Sequence, residues 1–126
     1  MKEKFYRCSI CGNEFAVMHD SGVRPVCCGQ EMEEIVANTT DAATEKHVPV
    51  VKVEDGVCHV EVGEVAHPMT DAHHIAWVLV VTNKGRHRIV LDVTKPAVVD
   101  VPLASDETVL RVYEYCNLHG LWVKEL

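Results

Sequence analysis

Four of the six cysteines in this chain lie within its first 28 residues, and this clustering constrains the fold more than any other feature. Cys8 and Cys11 form a C-x2-C pair, and Cys27 and Cys28 are adjacent. Residues 4–36 contain few large apolar side chains, so a segment of this length needs a bound metal or disulfide bonds to fold. The sequence therefore predicts a miniature cysteine-stabilised domain at the N-terminus.

The spacing of these cysteines favours a metal site. A C-x2-C turn directs two thiolates at one ion, and four thiolates suit either zinc or iron. A structural zinc ribbon and a vicinal or crossed disulfide are the alternatives. Because two adjacent residues cannot form the same turn as C-x2-C, we expect Cys27 and Cys28 to distort the tetrahedron.

The charge and the apolar content of the chain exclude several classes of protein. The chain has 126 residues, is 48% hydrophobic and carries a formal charge of -7, which opposes nonspecific binding to nucleic acid or to an anionic membrane. The N-terminus lacks a signal-peptide core, and the longest apolar run, residues 75–81, is too short to span a bilayer. We expect a cytoplasmic protein, whose reduced thiols would serve metal or redox chemistry.

Beyond a small polar linker at residues 37–45, the chain is patterned as strands and turns. A two-residue turn at Asp55-Gly56 and a second turn at residues 83–85 each predict a hairpin. No segment shows a convincing helical period. Seven short strands, the number typical of an immunoglobulin-like β-sandwich, are predicted at residues 48–54, 57–63, 75–82, 86–94, 98–101, 108–115 and 120–124.

The predicted loops of this second unit carry histidines and a cysteine. We expect the chain segments that contain them to converge at one end of the sandwich, where such folds place binding sites. Four imidazoles and one thiolate would make an ion five-coordinate and leave a sixth position open, which iron tolerates better than zinc does. The candidate ligands are His47, which opens a strand, His67, His73, Cys116 and His119.

Two other kinds of protein fit part of this pattern. A blue-copper electron carrier also combines a β-sandwich with an upstream histidine and a late Cys…His loop, but no methionine follows Met69 to serve as its axial ligand. A purely structural zinc protein is the second alternative. Cys58 falls in phase with Val60 and Val62, so we expect a buried apolar thiol there and not a ligand.

Five motifs in order resemble one known family over essentially the whole chain. They are Cys8-x2-Cys11 with Cys27-Cys28, Glu45-Lys46-His47-Val48-Pro49, His67-Pro68-Met69-Thr70, His73-His74-Ile75-x-Trp77, and Tyr115-Cys116-Asn117-Leu118-His119-Gly120-x-Trp122. Together they are similar to desulfoferrodoxin, the two-iron superoxide reductase. No ligand position departs from the family pattern, and His74 stands where the family varies.

The resemblance implies a division of the chain and an assignment of ligands. Residues 1–36 would form a rubredoxin-like (desulforedoxin-like) domain with an iron held by four cysteines, and residues 46–126 the superoxide reductase domain. Two irons per chain, with no haem and no flavin, are expected. The ligands of the active iron would be His47, His67, His73 and His119 in the plane, with Cys116 axial.

The resemblance also implies a reaction and partners. Superoxide would be reduced by one electron, with two protons, to hydrogen peroxide. Glu45 would occupy the sixth position of the oxidised iron, and Lys46 would attract superoxide and organise proton delivery. Rubredoxin or a similar small carrier would return the electron, with the four-cysteine iron as either relay or structural element. A homodimer is expected, and weak superoxide dismutation is the alternative activity.

Overall fold

The computed structural model describes residues 2–126 and divides the chain into two compact units, the first ending at Val36 and the second beginning at Ala37. The regular secondary structure of both units is almost entirely short antiparallel strands, which confirms the prediction of a mostly β protein. Among the described residues, no helix is long and apolar enough to cross a membrane.

The first unit has a small core beside its cysteines. Strands β1, β2 and β5 form a sheet in the order β2-β1-β5, while β3 and β4 form a separate hairpin. Tyr6, Cys8 and Met32 are buried, and Val17 and Cys27 pack against them. The strands are β1 (Phe5–Arg7), β2 (Glu14–Ala16), β3 (Val26–Cys27), β4 (Gln30–Glu31) and β5 (Glu33–Ile35).

The second unit is a sandwich of two antiparallel sheets. Its elements are α1 (Thr44–His47), β6 (Pro49–Glu54), β7 (Val57–Val62), β8 (Ile75–Thr82), β9 (Arg86–Val90), β10 (Val98–Pro102), β11 (Val109–Cys116) and β12 (Gly120–Glu125). One sheet has the strand order β10-β7-β6 and the other β12-β11-β8-β9. Side chains from both sheets share one core cluster, which confirms the predicted sandwich.

Strand β7 shows how alternation builds this core. Cys58, Val60 and Val62 are buried in the cluster, as the sequence predicts for Cys58, because successive side chains of a strand point to opposite faces. His59, on the opposite face, contacts the carboxylates of Asp100 and Glu61. His59 therefore lies on the outer face of the sheet and outside the core.

Two local predictions were wrong. Strand β9 ends at Val90, four residues before the predicted end at residue 94, because Asp92 forms a turn in which its carboxylate accepts hydrogen bonds from the Thr94 N–H and hydroxyl. His47 does not open a strand but ends the single-turn helix α1, at whose C-terminus the Val48 N–H donates to the Thr44 carbonyl at 3.0 Å. A four-residue helix is too short to show a helical period.

Strand β12 lies at the edge of its sheet, and Asn38 covers its outer side. The Asn38 N–H donates to the Leu121 carbonyl at 3.0 Å. The Asn38 side chain accepts from the Val123 N–H at 3.0 Å and donates to the Val123 carbonyl at 3.3 Å. Asn38 therefore closes part of this edge.

Candidate metal centres

The five predicted ligands of the second unit come together at one end of the sandwich. His47 ends α1, His67 lies in the loop after β7 and His73 in the loop before β8. Cys116 ends β11, where it pairs with Ile75 on one side and Gly120 on the other, and His119 lies in the turn to β12. One nitrogen or sulfur atom from each of the five residues lies within 4.8 Å of all the others.

Close backbone packing holds His47 in this group. Helix α1 lies against Gly63, where a Cβ atom would stand only 2.6 Å from the Glu45 carbonyl oxygen. The same carbonyl accepts a hydrogen bond from the Val65 N–H at 2.9 Å. A residue without a side chain is therefore needed at position 63 to let α1 approach.

The backbone fixes the tautomers of the two most buried imidazoles. His47 Nδ1 lies 2.7 Å from the Ala43 carbonyl, and His67 Nδ1 lies 2.7 Å from the Pro68 carbonyl. Because a carbonyl can only accept, each Nδ1 carries the proton and each Nε2 presents a lone pair. These two Nε2 atoms lie only 3.1 Å apart. Two facing lone pairs at this distance repel each other unless a cation lies beside both.

The remaining donors complete the group. His119 Nδ1 lies 3.1 Å from His47 Nε2, and Cys116 Sγ lies 3.5 Å from His67 Nε2 and 3.8 Å from His119 Nδ1. His73 Nε2 is buried and has no hydrogen-bond partner among the described residues. A buried nitrogen without a partner costs free energy, which coordination to a metal would recover. Five such donors suit iron better than four-coordinate zinc or a blue-copper centre.

Burial adjusts the protonation of these ligands. Desolvation lowers the pKa of His47 and of His73, and lowers that of His67 to about 4, so these imidazoles are neutral at pH 7 and able to coordinate. Desolvation raises the pKa of the Cys116 thiol, while the N–H groups of Leu118 and His119 oppose this shift. Metal binding would therefore release a proton from Cys116.

The site is buried on one side and more open on the other. Cys116, His47 and His67 are buried, whereas His73 and His119 are only partly buried. The Trp122 indole stacks on the His47 ring with centroids 5.0 Å apart, and its Nε1–H donates to the His119 carbonyl at 3.1 Å. One tryptophan thus supports two of the candidate ligands.

The four cysteines of the first unit also converge, with their sulfur atoms all within 4.8 Å of one another. Cys11 and Cys27 Sγ are 3.6 Å apart, and Cys27 and Cys28 Sγ are 4.0 Å apart. Cys28 has a φ of 53°, a left-handed conformation that lets two adjacent side chains reach one point. The Cys11 N–H is the main cause that lowers the pKa of Cys8 to about 6, while the Cys11 side chain raises that of Cys28 to about 12.

Glu45 and Lys46 are exposed on α1, beside the histidine site. Neither belongs to the group of five ligand atoms found among the described residues. Glu45 lines a shallow cleft together with Glu64 and Lys124. After desolvation, the positive charge of Lys46 also contributes to lowering the pKa of both His47 and His73.

One buried residue beside the site was missed by sequence reasoning. Glu114 on β11 is fully buried, and neither of its carboxylate oxygens has a hydrogen-bond partner within residues 2–126. Burial raises its pKa to about 9. The available signal was its phase, because Val112, Glu114 and Cys116 alternate along one face of the strand, and the two outer residues belong to the core.

Comparison with known proteins identifies the family. The sequence profile described as "Desulfoferrodoxin" matches residues 39–125, and that described as "Desulfoferrodoxin, N-terminal domain" matches residues 1–35. The chain belongs to the desulfoferrodoxin family. Its four-cysteine group and its group of four histidines with one cysteine correspond to the two-iron layout of desulfoferrodoxins.

Individual relatives agree over nearly the whole chain. A desulfoferrodoxin of Syntrophotalea carbinolica is 44% identical over 98% of this chain and 97% of its own length. A desulfoferrodoxin homolog of Archaeoglobus fulgidus is 41% identical over 93% of this chain and 92% of its own. The crystal structure of the superoxide reductase from Treponema pallidum is similar with a TM-score of 0.85 and 37% identity, covering 99% of this chain and 100% of that one.

Proposed function

We propose that this chain is a superoxide reductase, which reduces superoxide with one electron and two protons to hydrogen peroxide. The observation that carries this proposal is the convergence of four imidazole nitrogens and one cysteine sulfur within 4.8 Å. Membership of the desulfoferrodoxin family and the similarity to the superoxide reductase of Treponema pallidum support it. Iron held by His47, His67, His73, His119 and Cys116 would supply the electron.

The residues around the site would serve the reaction in distinct ways. Imidazole ligands carry no charge, so Cys116 would be the one anionic ligand, and its thiolate would donate electron density to the iron. The N–H groups of Leu118 and His119 would moderate that donation. Lys46 would draw the superoxide anion towards this side of an otherwise acidic protein and help to deliver protons. Glu45, which is exposed on α1, would offer its carboxylate as a further ligand for the oxidised iron.

The second iron would be held by Cys8, Cys11, Cys27 and Cys28. Cys11 and Cys28 are exposed, which supports electron entry at this site from rubredoxin or a similar small carrier. The alternative role of this iron is to stabilise residues 1–36. The boundaries 1–36, 37–45 and 46–126, a cytoplasmic location and a homodimer complete the proposal, and the homodimer rests on the family resemblance alone.

A visible absorption experiment tests the proposal. Iron-loaded, reduced protein should develop a thiolate-to-Fe(III) band when superoxide is added, and hydrogen peroxide should form without oxygen. Cys116→Ser should abolish the band and the activity together, because the sulfur ligand is removed. Cys58→Ser is the matched control, since Cys58 is an equally buried thiol outside the ligand group, and this variant should keep the band.

Three results would contradict the proposal. Persistence of the band in Cys116→Ser would mean that the sulfur ligand is misassigned. Catalytic formation of oxygen together with peroxide, without added reductant, would favour superoxide dismutation. A colourless protein that contains zinc and no iron would indicate a structural role for both sites.

A further inference from the structure

The two chain segments that carry His73 and the Cys116–His119 turn are joined by one asparagine side chain. Asn117 Nδ2–H donates to the Ala72 carbonyl at 3.0 Å, and Asn117 Oδ1 accepts from the His74 N–H at 2.8 Å. The Asn117 N–H donates to the His74 carbonyl at 3.1 Å. Three hydrogen bonds therefore connect the residues on both sides of His73 to the residue that follows Cys116.

The loop before β8 is also held internally. The Thr70 N–H donates to the His73 carbonyl at 2.9 Å, and the His73 N–H donates to the Thr70 hydroxyl at 3.1 Å. His74 Nδ1 lies 2.9 Å from the Thr70 carbonyl, so His74 is engaged away from the metal site. Because the loop is tied within itself, a contact at Ala72 and His74 fixes the position of His73 as well.

We propose that the side-chain amide of Asn117 is a positioning group that sets the distance between His73 and the ligands Cys116 and His119. Among the described residues, no other side chain joins these two segments by hydrogen bonds. The ring centroids of His73 and His119, which the two segments carry, are 5.0 Å apart. Metal sites depend on hydrogen bonds that orient their ligands. This inference rests on the proposed function only for the assignment of those three residues as iron ligands.

The chain contains a matched control at the other end of the same strands. Asn83 Nδ2–H donates to the Asp106 carbonyl at 3.3 Å, Asn83 Oδ1 accepts from the Thr108 N–H at 2.8 Å, and the Asn83 N–H donates to the Thr108 carbonyl at 3.0 Å. Both asparagines are exposed. Strand β8 has eight residues, so about 25 Å separates the two sets of contacts.

The experiment compares Asn117→Ala with Asn83→Ala in the iron-loaded, oxidised full chain. Iron loss to an excess of chelator is followed through the thiolate-to-Fe(III) band, and the bands of the four-cysteine iron in the same sample serve as an internal reference. Each variant loses the same set of side-chain hydrogen bonds, so their melting temperatures should fall by similar amounts. Asn117→Ala should lose iron about 10- to 100-fold faster than the parent protein. Asn83→Ala should match the parent.

A conservative variant and a second readout complete the test. Asn117→Asp keeps the acceptor for the His74 N–H but places a second acceptor opposite the Ala72 carbonyl, so its iron half-life should be shorter than that of the parent. This variant carries the test if Asn117→Ala does not fold. Amide hydrogen exchange at His74 should accelerate in Asn117→Ala and remain unchanged in Asn83→Ala.

Equal iron loss from the parent and both asparagine variants would overturn the proposal, and so would an equal acceleration in Asn117→Ala and Asn83→Ala. The second result would make Asn117 an ordinary stabiliser of its loop. Neither readout uses superoxide. A protein that failed to reduce superoxide would therefore leave this inference standing, and a fully active one would not establish it.

Discussion

Glu114 combines full burial with a carboxyl group that no other group within residues 2–126 compensates. Burial favours the neutral acid and raises its pKa to about 9. Between its ordinary pKa and this raised pKa, the Glu114 carboxyl is neutral in the folded protein and ionised in the unfolded chain. Stability from this group is complete below about pH 4.5 and is lost as the pH rises towards 9.

Glu114→Gln should remove this dependence on pH. At pH 7 the variant should be more stable than the parent by up to roughly 3 kcal/mol, since it avoids the cost of a buried acid held neutral. Urea unfolding of the full chain at pH 5, 7 and 9 measures the difference. Glu64→Gln is the control, because Glu64 is exposed and should leave the profile unchanged. Parallel profiles for Glu114→Gln and the parent would show that the carboxyl does not titrate within this range.

Lys46 provides a test of electrostatic attraction at the residue scale. Lys46→Ala should slow the bimolecular reaction with superoxide by roughly tenfold and weaken its dependence on salt, because a positive charge beside His47 and His73 is removed. Pulse radiolysis of the reduced protein measures this rate. Lys52→Ala removes an equal charge from an ion pair with Glu54 and should keep the parent rate. Identical rates for the two variants would exclude Lys46 from steering.

At the scale of elements, the site depends on how closely helix α1 approaches the turn after β7. Gly63→Ala should push the two backbones apart, because the new methyl group would stand 2.6 Å from the Glu45 carbonyl oxygen. We expect a destabilisation of about 1–3 kcal/mol and a weaker thiolate-to-Fe(III) band, since His47 ends the displaced helix. Urea unfolding and the visible spectrum provide the two measurements.

Gly85→Ala is the control for this change. No described atom outside its chain neighbours lies within 4 Å of the Cβ position at Gly85, so the substitution should preserve both stability and the spectrum. An intact band in Gly63→Ala would mean that α1 can move without disturbing His47.

The strands were easier to predict from the sequence than the elements that carry the ligands. Strand β8 has the predicted bounds, because its apolar run ends at a clear turn. Helix α1 was missed because a single turn shows no periodicity and Ala43 provides no side-chain cap. The contacts of Asn117 were also invisible, since its partners Ala72 and His74 lie 45 and 43 residues away in sequence.

At the scale of the whole molecule, the two metal centres belong to separate units with different needs. The first unit has a core of three buried residues, Tyr6, Cys8 and Met32, whereas the sandwich has an extended core shared by two sheets. A core this small contributes little free energy without a metal. The fold of the first unit should therefore depend on its iron, while that of the second should not depend on the iron of the first.

Cys11→Ala tests this independence. The variant should lose the bands of the four-cysteine iron, and limited proteolysis should cut within residues 2–36, because one of four thiolates is missing. The thiolate-to-Fe(III) band of the second unit and its reaction with superoxide should persist. Loss of both sets of bands together would contradict independent folding of the two units.

The metal ligands could be predicted because only a few side-chain types bind metals, whereas the residues that surround the ligands could not. His47, His67, His73, Cys116 and His119 were all named from the sequence, and the structure brings their donor atoms together. Glu114 was hidden in a strand whose pattern otherwise reads as ordinary alternation. Its phase with Val112 and Cys116 was a signal for burial, but it competed with the general rule that glutamate side chains are exposed.

The contact of Asn38 with β12 bears on how the protein behaves in a crowded solution. An open strand edge offers its N–H and carbonyl groups to the edge of another molecule and so provides a template for aggregation. Asn38 already occupies the groups of Leu121 and Val123 on that edge. Asn38 thus leaves fewer free backbone groups for intermolecular pairing on the strand that carries Trp122.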